Sequence, residues 1–447
     1  MKRFAAVLTA LVLCGCSAAR QPDVLPYMRN DIAMHALNGT GAGKIDHVIF
    51  IVQENRSFDN LFQGYPGADT VSSGKNSQGQ TIELQPVSLG RQYIIDHSAQ
   101  AMFSACDGTR KLRGTDCRMD AFDKEVSSGG PPNPQYVYVP HSESKPYFDM
   151  AREWVLSDQT FQSQLDESFT AHQYVVAAQA DHTVDLPTGE WGCGGGKADK
   201  VARITPDRHI TGRNFSPCFD YTTLADELDA AHLSWRFYAS SYGSPSSGEG
   251  AEWSSFIAVR HIRYGPGWKN VISPNWKFIS DVRSGRLANF TWITPVCEDS
   301  DHVACLNGGY GPSWIAALVN TVGKSRFWDS SAIFVIWDDW GGLYDHVPPP
   351  HKAYDGLGFR VPLLMISPYA KRNYVSHVQY ETASVLRFAE DLFGLDRMAD
   401  ADRRAASPAA DCFDFVRKPR PFVKIAAPHP PRFFMHHYGE YQAPDYE

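Results

Sequence analysis

From residue 46 onward, short apolar runs rich in β-branched residues alternate with stretches whose apolar positions recur three and four apart. The first pattern marks buried strands and the second amphipathic helices. Strands are predicted over residues 47–52, 234–238, 290–294, 332–337 and 361–367. Helices are predicted over 146–156, 169–180, 222–231, 314–322 and 381–393. Such alternation is the signature of an α/β fold with a mainly parallel central sheet flanked by helices. Stretches rich in Pro, Gly and Ser at 67–92, 127–134 and 244–250 read as loop insertions around that core. No internal repeat is visible. Residues 45–447 read as one domain, and the tail after about residue 406, rich in Pro, Arg and aromatics, is expected to wrap the surface.

The amino terminus breaks this pattern. Lys2 and Arg3 precede an apolar run over residues 4–13, too short to span a bilayer and shaped like a secretory signal. It ends in Leu13-Cys14-Gly15-Cys16, similar to a bacterial lipobox, so residues 1–16 are expected to be a lipoprotein-type signal peptide and 17–44 a linker. An ordinary signal peptide with incidental cysteines is the alternative. Both place the protein outside the cytoplasm, in the cell envelope, periplasm or medium, and the first would anchor it to a membrane through lipid on Cys16. Of the 9 cysteines, sequence neighbours suggest pairing Cys106 with Cys117, Cys193 with Cys218 and Cys297 with Cys305, leaving Cys412 odd. Spacing does not prove that connectivity.

Composition narrows the function classes. With 447 residues, 43% hydrophobic and 21% charged, the chain can bury a large core. Its formal net charge of −8 supplies no basic field for a polyanion, so no nucleic-acid partner is expected. Oligomeric state is not readable.

The candidate chemistry sits at strand ends. Strand 47–52 runs into Gln53-Glu54-Asn55-Arg56-Ser57-Phe58-Asp59, and strand 332–337 into Asp338-Asp339-Trp340-Gly341-Gly342. Ligands of open α/β sheets bind beyond such carboxyl ends. Adjacent carboxylates repel unless a cation neutralises them, so Glu54, Asn55, Asp338 and Asp339 together suit one divalent ion of the Ca²⁺, Mg²⁺ or Mn²⁺ class. Taken singly, each motif reads better as a cap or a solvated turn, and together they favour metal. Ser168, in Asp166-Glu167-Ser168-Phe169-Thr170-Ala171-His172, precedes a predicted helix, where a serine is commonly just an N-cap but where phosphate is also held.

In combination these segments resemble the bacterial phosphoesterase family of phosphatidylcholine-type phospholipases C and acid phosphatases, related to the alkaline phosphatase superfamily. The residues 54–59 look like its opening signature and Asp338 to Val347 its late one, with Asp301-His302, the serine segment and Ser376-His377 in the family's order. The resemblance spans roughly residues 45–395. It implies an alkaline-phosphatase-like core, one metal ion bound by Glu54, Asn55, Asp338 and Asp339, Ser168 as nucleophile, and a phosphate-ester substrate. His97 and His302 become the candidates for proton transfer, with Asp301, His172 and His346 at the substrate and His377 in support. Thr170 and Glu167 depart from the usual nucleophile segment, in which Pro and small residues are common. A serine where the phospholipase C branch often carries threonine leans toward the phosphatase branch. The rival readings are a noncatalytic surface lipoprotein with a structural metal, and a metal-free serine hydrolase, for which no GxSxG surrounds Ser168.

Overall fold

The structure, a computed structural model, describes residues 39–189, 191–240, 253–305 and 307–436. The signal peptide with Cys14 and Cys16, the linker as far as residue 38, the loop 244–250 and the last residues of the tail lie outside them. The central sheet comprises β1 (His47–Gln53), β2 (Val155–Ser157), β3 (Trp235–Tyr238), β4 (Val271–Ile272), β5 (Phe290–Ile293), β6 (Ser331–Trp337), β7 (Leu363–Ile366) and β8 (Tyr374–Ser376). Their order is β4-β3-β5-β1-β6-β7-β2-β8. Every pairing is parallel except the two made by β7.

The helices used below are α1 (Phe58–Phe62), α2 (Ala99–Cys106), α3 (Lys145–Glu153), α4 (Ser168–Ala177), α5 (Leu224–Ala230), α6 (Gly311–Gly323) and α7 (Ala383–Phe393). β6 is buried throughout and β1 from Val48 onward, as strands covered on both faces must be. Along β6, Phe334 meets Phe388 of α7 with ring centroids 4.9 Å apart, while Trp337 meets Tyr147 of α3 at 5.1 Å. Residues three apart on a strand point to opposite faces, so α7 and α3 belong to opposite helix layers. α6 joins α3, and α4 packs with α5 and α7.

All five predicted strands lie in this sheet, within two residues of the expected bounds. The predicted helix 146–156 is corrected: α3 stops at Glu153, Trp154 leaves helical geometry, and Val155–Ser157 becomes β2 between β7 and β8. Val155 and Leu156 are apolar under either period, and pairing with Leu364 and Met365 decides for the strand. The stretch 67–92 is likewise not simply loop, since Ser73–Lys75 and Thr81–Glu83 pair antiparallel within it. Ile94–Ile95 pairs with Ser127–Ser128, and His97 just beyond it is fully buried. Disulfides join Cys106 to Cys117, Cys193 to Cys218 and Cys297 to Cys305, and Cys412 is free and buried. Past residue 406, Phe413 stacks on Phe388 at 5.2 Å and Phe422 on Trp154 at 5.8 Å. Asn320 of α6 exchanges two hydrogen bonds with the backbone of Ile425. Among the described residues no helix is long and apolar enough to cross a membrane.

Candidate functional site

Gln53 and Trp337 are register partners at the ends of β1 and β6, so the residues that follow leave the sheet side by side. The Asn55 amide donates to Asp338 Oδ1 at 2.9 Å and ties the two exits together. Asn55 takes a left-handed φ of 56°, and Gly341 turns with φ 61° directly against its carbonyl oxygen. α4 then delivers Ser168 at its first turn. Its hydroxyl lies 3.1 Å from Asp339 Oδ2 and 3.5 Å from Asn55 Oδ1. His97 enters from the Ile94–Ile95 strand, with Nε2 2.8 Å from Asn55 Nδ2 and 3.7 Å from Asp339 Oδ2. The ring of His302 meets that of His97 edge-on at 6.3 Å and stacks on Trp253 at 5.9 Å.

His172 is four residues beyond Ser168, hence on the same face of α4. Its Nε2 sits 3.2 Å from Glu54 Oε1 and 3.7 Å from Asp338 Oδ2. One atom from each of Glu54, His172 and Asp338 lies within 4.8 Å of the others, and all three residues are buried. Asp338 Oδ2 is buried without a hydrogen-bond partner among the described residues. Burying two carboxylates this way is costly without a cation, and hard oxygens with one imidazole nitrogen suit a divalent ion, so the donor set fits a metal. Of the four residues expected as ligands, Glu54 and Asp338 belong to this cluster, while Asn55 and Asp339 are shared with Ser168 and His97. His172, expected at the substrate, stands in this cluster beside Glu54 and Asp338.

Asp301 and His346 are engaged elsewhere. Asp301 turns its carboxylate inward, where Oδ2 accepts from Tyr147 Oη at 2.8 Å and Trp337 Nε1 at 3.0 Å. Burial pushes it up to about 6 despite the nearby Arg56 guanidinium. His346 Nδ1 pairs with Asp59 Oδ2 at 2.6 Å and Nε2 with Asp69 Oδ1 at 3.1 Å. His377 pairs with Asp158 at 2.9 Å. Arg360, which no motif singles out, lies 3.1 Å from Asp345 and 3.4 Å from Asp59 in the same buried network. Sequence reasoning also passed over Arg56, whose Nε donates to the Asp301 carbonyl at 2.7 Å. Its place inside the opening signature was the available signal. Beside Ser168, Asp166 is held above the usual carboxylate range by burial and by Asp185.

Residues 45–396 match the sequence profile of the Phosphoesterase family. The chain belongs to the Phosphoesterase family. This phosphoesterase-family chain is 23% identical over 440 residues to the non-hemolytic phospholipase C of Burkholderia pseudomallei, covering 82% of this chain and 58% of that protein. To phospholipase C B of Mycobacterium tuberculosis it is 23% identical, covering 78% of this chain and 74% of the relative. To non-specific phospholipase C1 of Arabidopsis thaliana it is 22% identical, covering 79% and 68%. The chain therefore spans between about half and three quarters of the length of these relatives. A solved member of the alkaline phosphatase superfamily from Vibrio parahaemolyticus superposes with TM-score 0.38 and 12% identity, covering 81% of this chain and 70% of that one.

Proposed function

We propose that this protein is a metal-dependent phosphoric ester hydrolase in which Ser168 attacks phosphorus. The observation that carries the reading is the Ser168 hydroxyl, 3.1 Å from Asp339 Oδ2 at the amino terminus of a ten-residue helix, beside the Glu54–His172–Asp338 cluster. The free N–H groups of that first turn favour a phosphoryl oxygen. Glu54, His172 and Asp338 would hold the divalent ion, with Asn55 and Asp339 adjoining, and the ion supplies charge neutralisation at the phosphoryl group. As the Oγ–phosphorus bond forms and the bond to the leaving oxygen breaks, the hydroxyl proton passes to Asp339 and the His97 side, which returns it to the leaving oxygen. Water then releases the phosphoryl group from Ser168.

Both phosphomonoesters and phospholipid head-group esters are substrates of this chemistry. The relatives named phospholipase C favour the second, and the serine nucleophile favours the first. Export and lipid attachment at Cys16 belong to the same reading and are checked by the mass of the mature amino terminus. A panel of both ester types, with and without chelator, tests the activity. Ser168→Ala should stay folded and keep its metal while turnover falls by roughly three powers of ten or more. Near-normal turnover in that variant, or phosphate trapped on another residue, would displace Ser168 from this role.

A further inference from the structure

Asp166 lies two residues before Ser168 and is fully buried, and its carboxyl group spends both oxygens on the backbone of other segments. Oδ1 accepts the N–H of Ala99 at 2.8 Å, and Oδ2 accepts the N–H of Asp185 at 2.6 Å. Ala99 opens α2 two residues after His97, while Asp185 follows the short strand Thr183–Val184 and takes a left-handed φ of 64°. The Thr170 hydroxyl, in the first turn of α4, stands 3.0 Å from Asp166 Oδ2 and 3.2 Å from the Thr183 carbonyl oxygen. The backbone of Asp166 is held too, since its carbonyl accepts from Gln162 Nε2 at 3.0 Å. Glu167 adds a parallel link by accepting the N–H of Leu186 at 3.0 Å. One oxygen from each of Asp166, Glu167 and Asp185 lies within 4.8 Å of the others. Both oxygens of Asp166 already face N–H donors, however, so this group clasps the chain in place of a metal.

We propose that Asp166 is a positioning residue, a clasp that sets the His97 segment and the first turn of α4 at their working separation. This rests on the hydrolase reading above. The contacts close a ring. Ser168 Oγ lies 3.1 Å from Asp339 Oδ2, which lies 3.7 Å from His97 Nε2, and from His97 the chain runs to Ala99 and across Asp166 back to Ser168. Only an acid can hold both ends of the clasp, because an amide of the same size offers one acceptor and one NH₂. Asparagine at this position would turn that NH₂ toward the N–H of either Ala99 or Asp185, and one link would open. A misplacement of about 1 Å at a reacting centre costs on the order of a hundredfold in rate.

Asp166→Asn should therefore keep its metal, by elemental analysis, and lose kcat by roughly a hundredfold with KM within about threefold of the parent. Asp402→Asn is the matched control. Asp402, on the short helix Asp400–Arg404 against α7, is also fully buried and accepts the N–H groups of Met398 at 2.6 Å and Ala399 at 3.1 Å. That variant should lose similar stability in urea and keep kcat within about threefold. Ala99→Pro removes the donor of one link alone, at a first helical position where Pro fits and where Ser98 already has the extended ψ of 167° that suits the residue before Pro. It should lower kcat in the same way, and the double variant with Asp166→Asn should lose far less than the product of the two losses, because both open one clasp. Parent-like kcat in Ala99→Pro, a loss in Asp166→Asn no larger than in Asp402→Asn, or losses that multiply would overturn the proposal. Hydrogen exchange of the full chain, read by mass spectrometry on peptides covering 97–101 and 183–187, should quicken in Asp166→Asn whether or not the parent turns over an ester. Absence of turnover in the parent would thus sink the hydrolase reading, whereas parent-like exchange in the variant would sink the clasp.

Discussion

At Gly341 the chain leaving β6 must turn back over the carbonyl of Asn55. With φ 61° and a Cβ position only 2.4 Å from the Asn55 oxygen, any side chain there is strained twice, by its own backbone and by the contact. Gly341→Ala should therefore cost about 1–3 kcal/mol in urea unfolding and lower turnover together, because Asn55 is what it pushes. Unchanged values for both would show slack in the turn. Glu125 makes a pH argument. Burial, reinforced by Asp96, pushes its carboxyl up to about 9 from 4.5. A folded-state value above the unfolded one means the folded protein binds the extra proton, so this contribution to stability is complete below about pH 4.5 and is lost as pH rises toward 9. Glu125→Gln should abolish that slope, at most about 1.4 kcal/mol per pH unit, and so gain stability over the parent at pH 8. Equal slopes in the two proteins would place the proton elsewhere. Side-chain direction was the least legible property at this scale. Asp301 and His302 are neighbours in one short motif, yet the first turns into the core against Trp337 and the second toward His97.

The elements were more legible than the directions of their residues. A strand such as β6, apolar over the six residues from Ala332 to Trp337, announces itself, and the polar residues that follow it can be placed at the sheet's carboxyl edge before any coordinates exist. What the pattern did not reveal were the short strands β2, β4 and β8; in β2, two apolar residues after a helix have no period of their own and only the partners on β7 and β8 make them a strand. α4 shows the same limit. All ten of its residues are buried, so it has no solvent face to say which side turns toward the strand ends. The spacing of four from Ser168 to His172 put both on one side, and packing with α5 and α7 leaves His172 Nε2 3.2 Å from Glu54 Oε1. His172→Ala should accordingly lose metal measured by elemental analysis, along with turnover, and should show little further loss of thermal stability when chelator is added. Parent-like metal content in that variant would return His172 to a supporting place.

Across the whole molecule, the sheet carries the core while the three disulfides staple loops that the sheet does not reach. The bonds close loops with sequence separations of 11, 25 and 8, for which chain entropy gives about 2.5–3.5 kcal/mol each. They differ in what they enclose. Cys106–Cys117 anchors the carboxyl end of α2, the far end of that helix from His97, whereas Cys297–Cys305 brackets Asp301 and His302. The amino-terminal half of that bracket has independent support, since Asp301 is gripped by Gln53, Arg56, Tyr147 and Trp337. The carboxyl-terminal half is held mainly through its backbone: Ala304 donates to the His302 ring, the His302 carbonyl accepts from the Cys305 amide at 3.2 Å and Asn307 Nδ2 at 2.9 Å, the Ala304 carbonyl from Gln92 at 2.7 Å, and the Val303 carbonyl from Tyr93 at 3.0 Å. Opening the Cys297–Cys305 bond should therefore loosen the ring of His302 more than the carboxylate of Asp301. The double variant Cys297→Ser/Cys305→Ser should unfold at lower denaturant, yet remain folded in buffer with turnover reduced by up to about a hundredfold, the cost of a small misplacement at a reacting centre. The matching Cys106→Ser/Cys117→Ser variant should lose similar stability and keep most of its turnover. Parallel denaturation curves and kinetics on the two variants decide it, and equal losses of turnover in both would mean that the bracket steadies the fold without aiming His302.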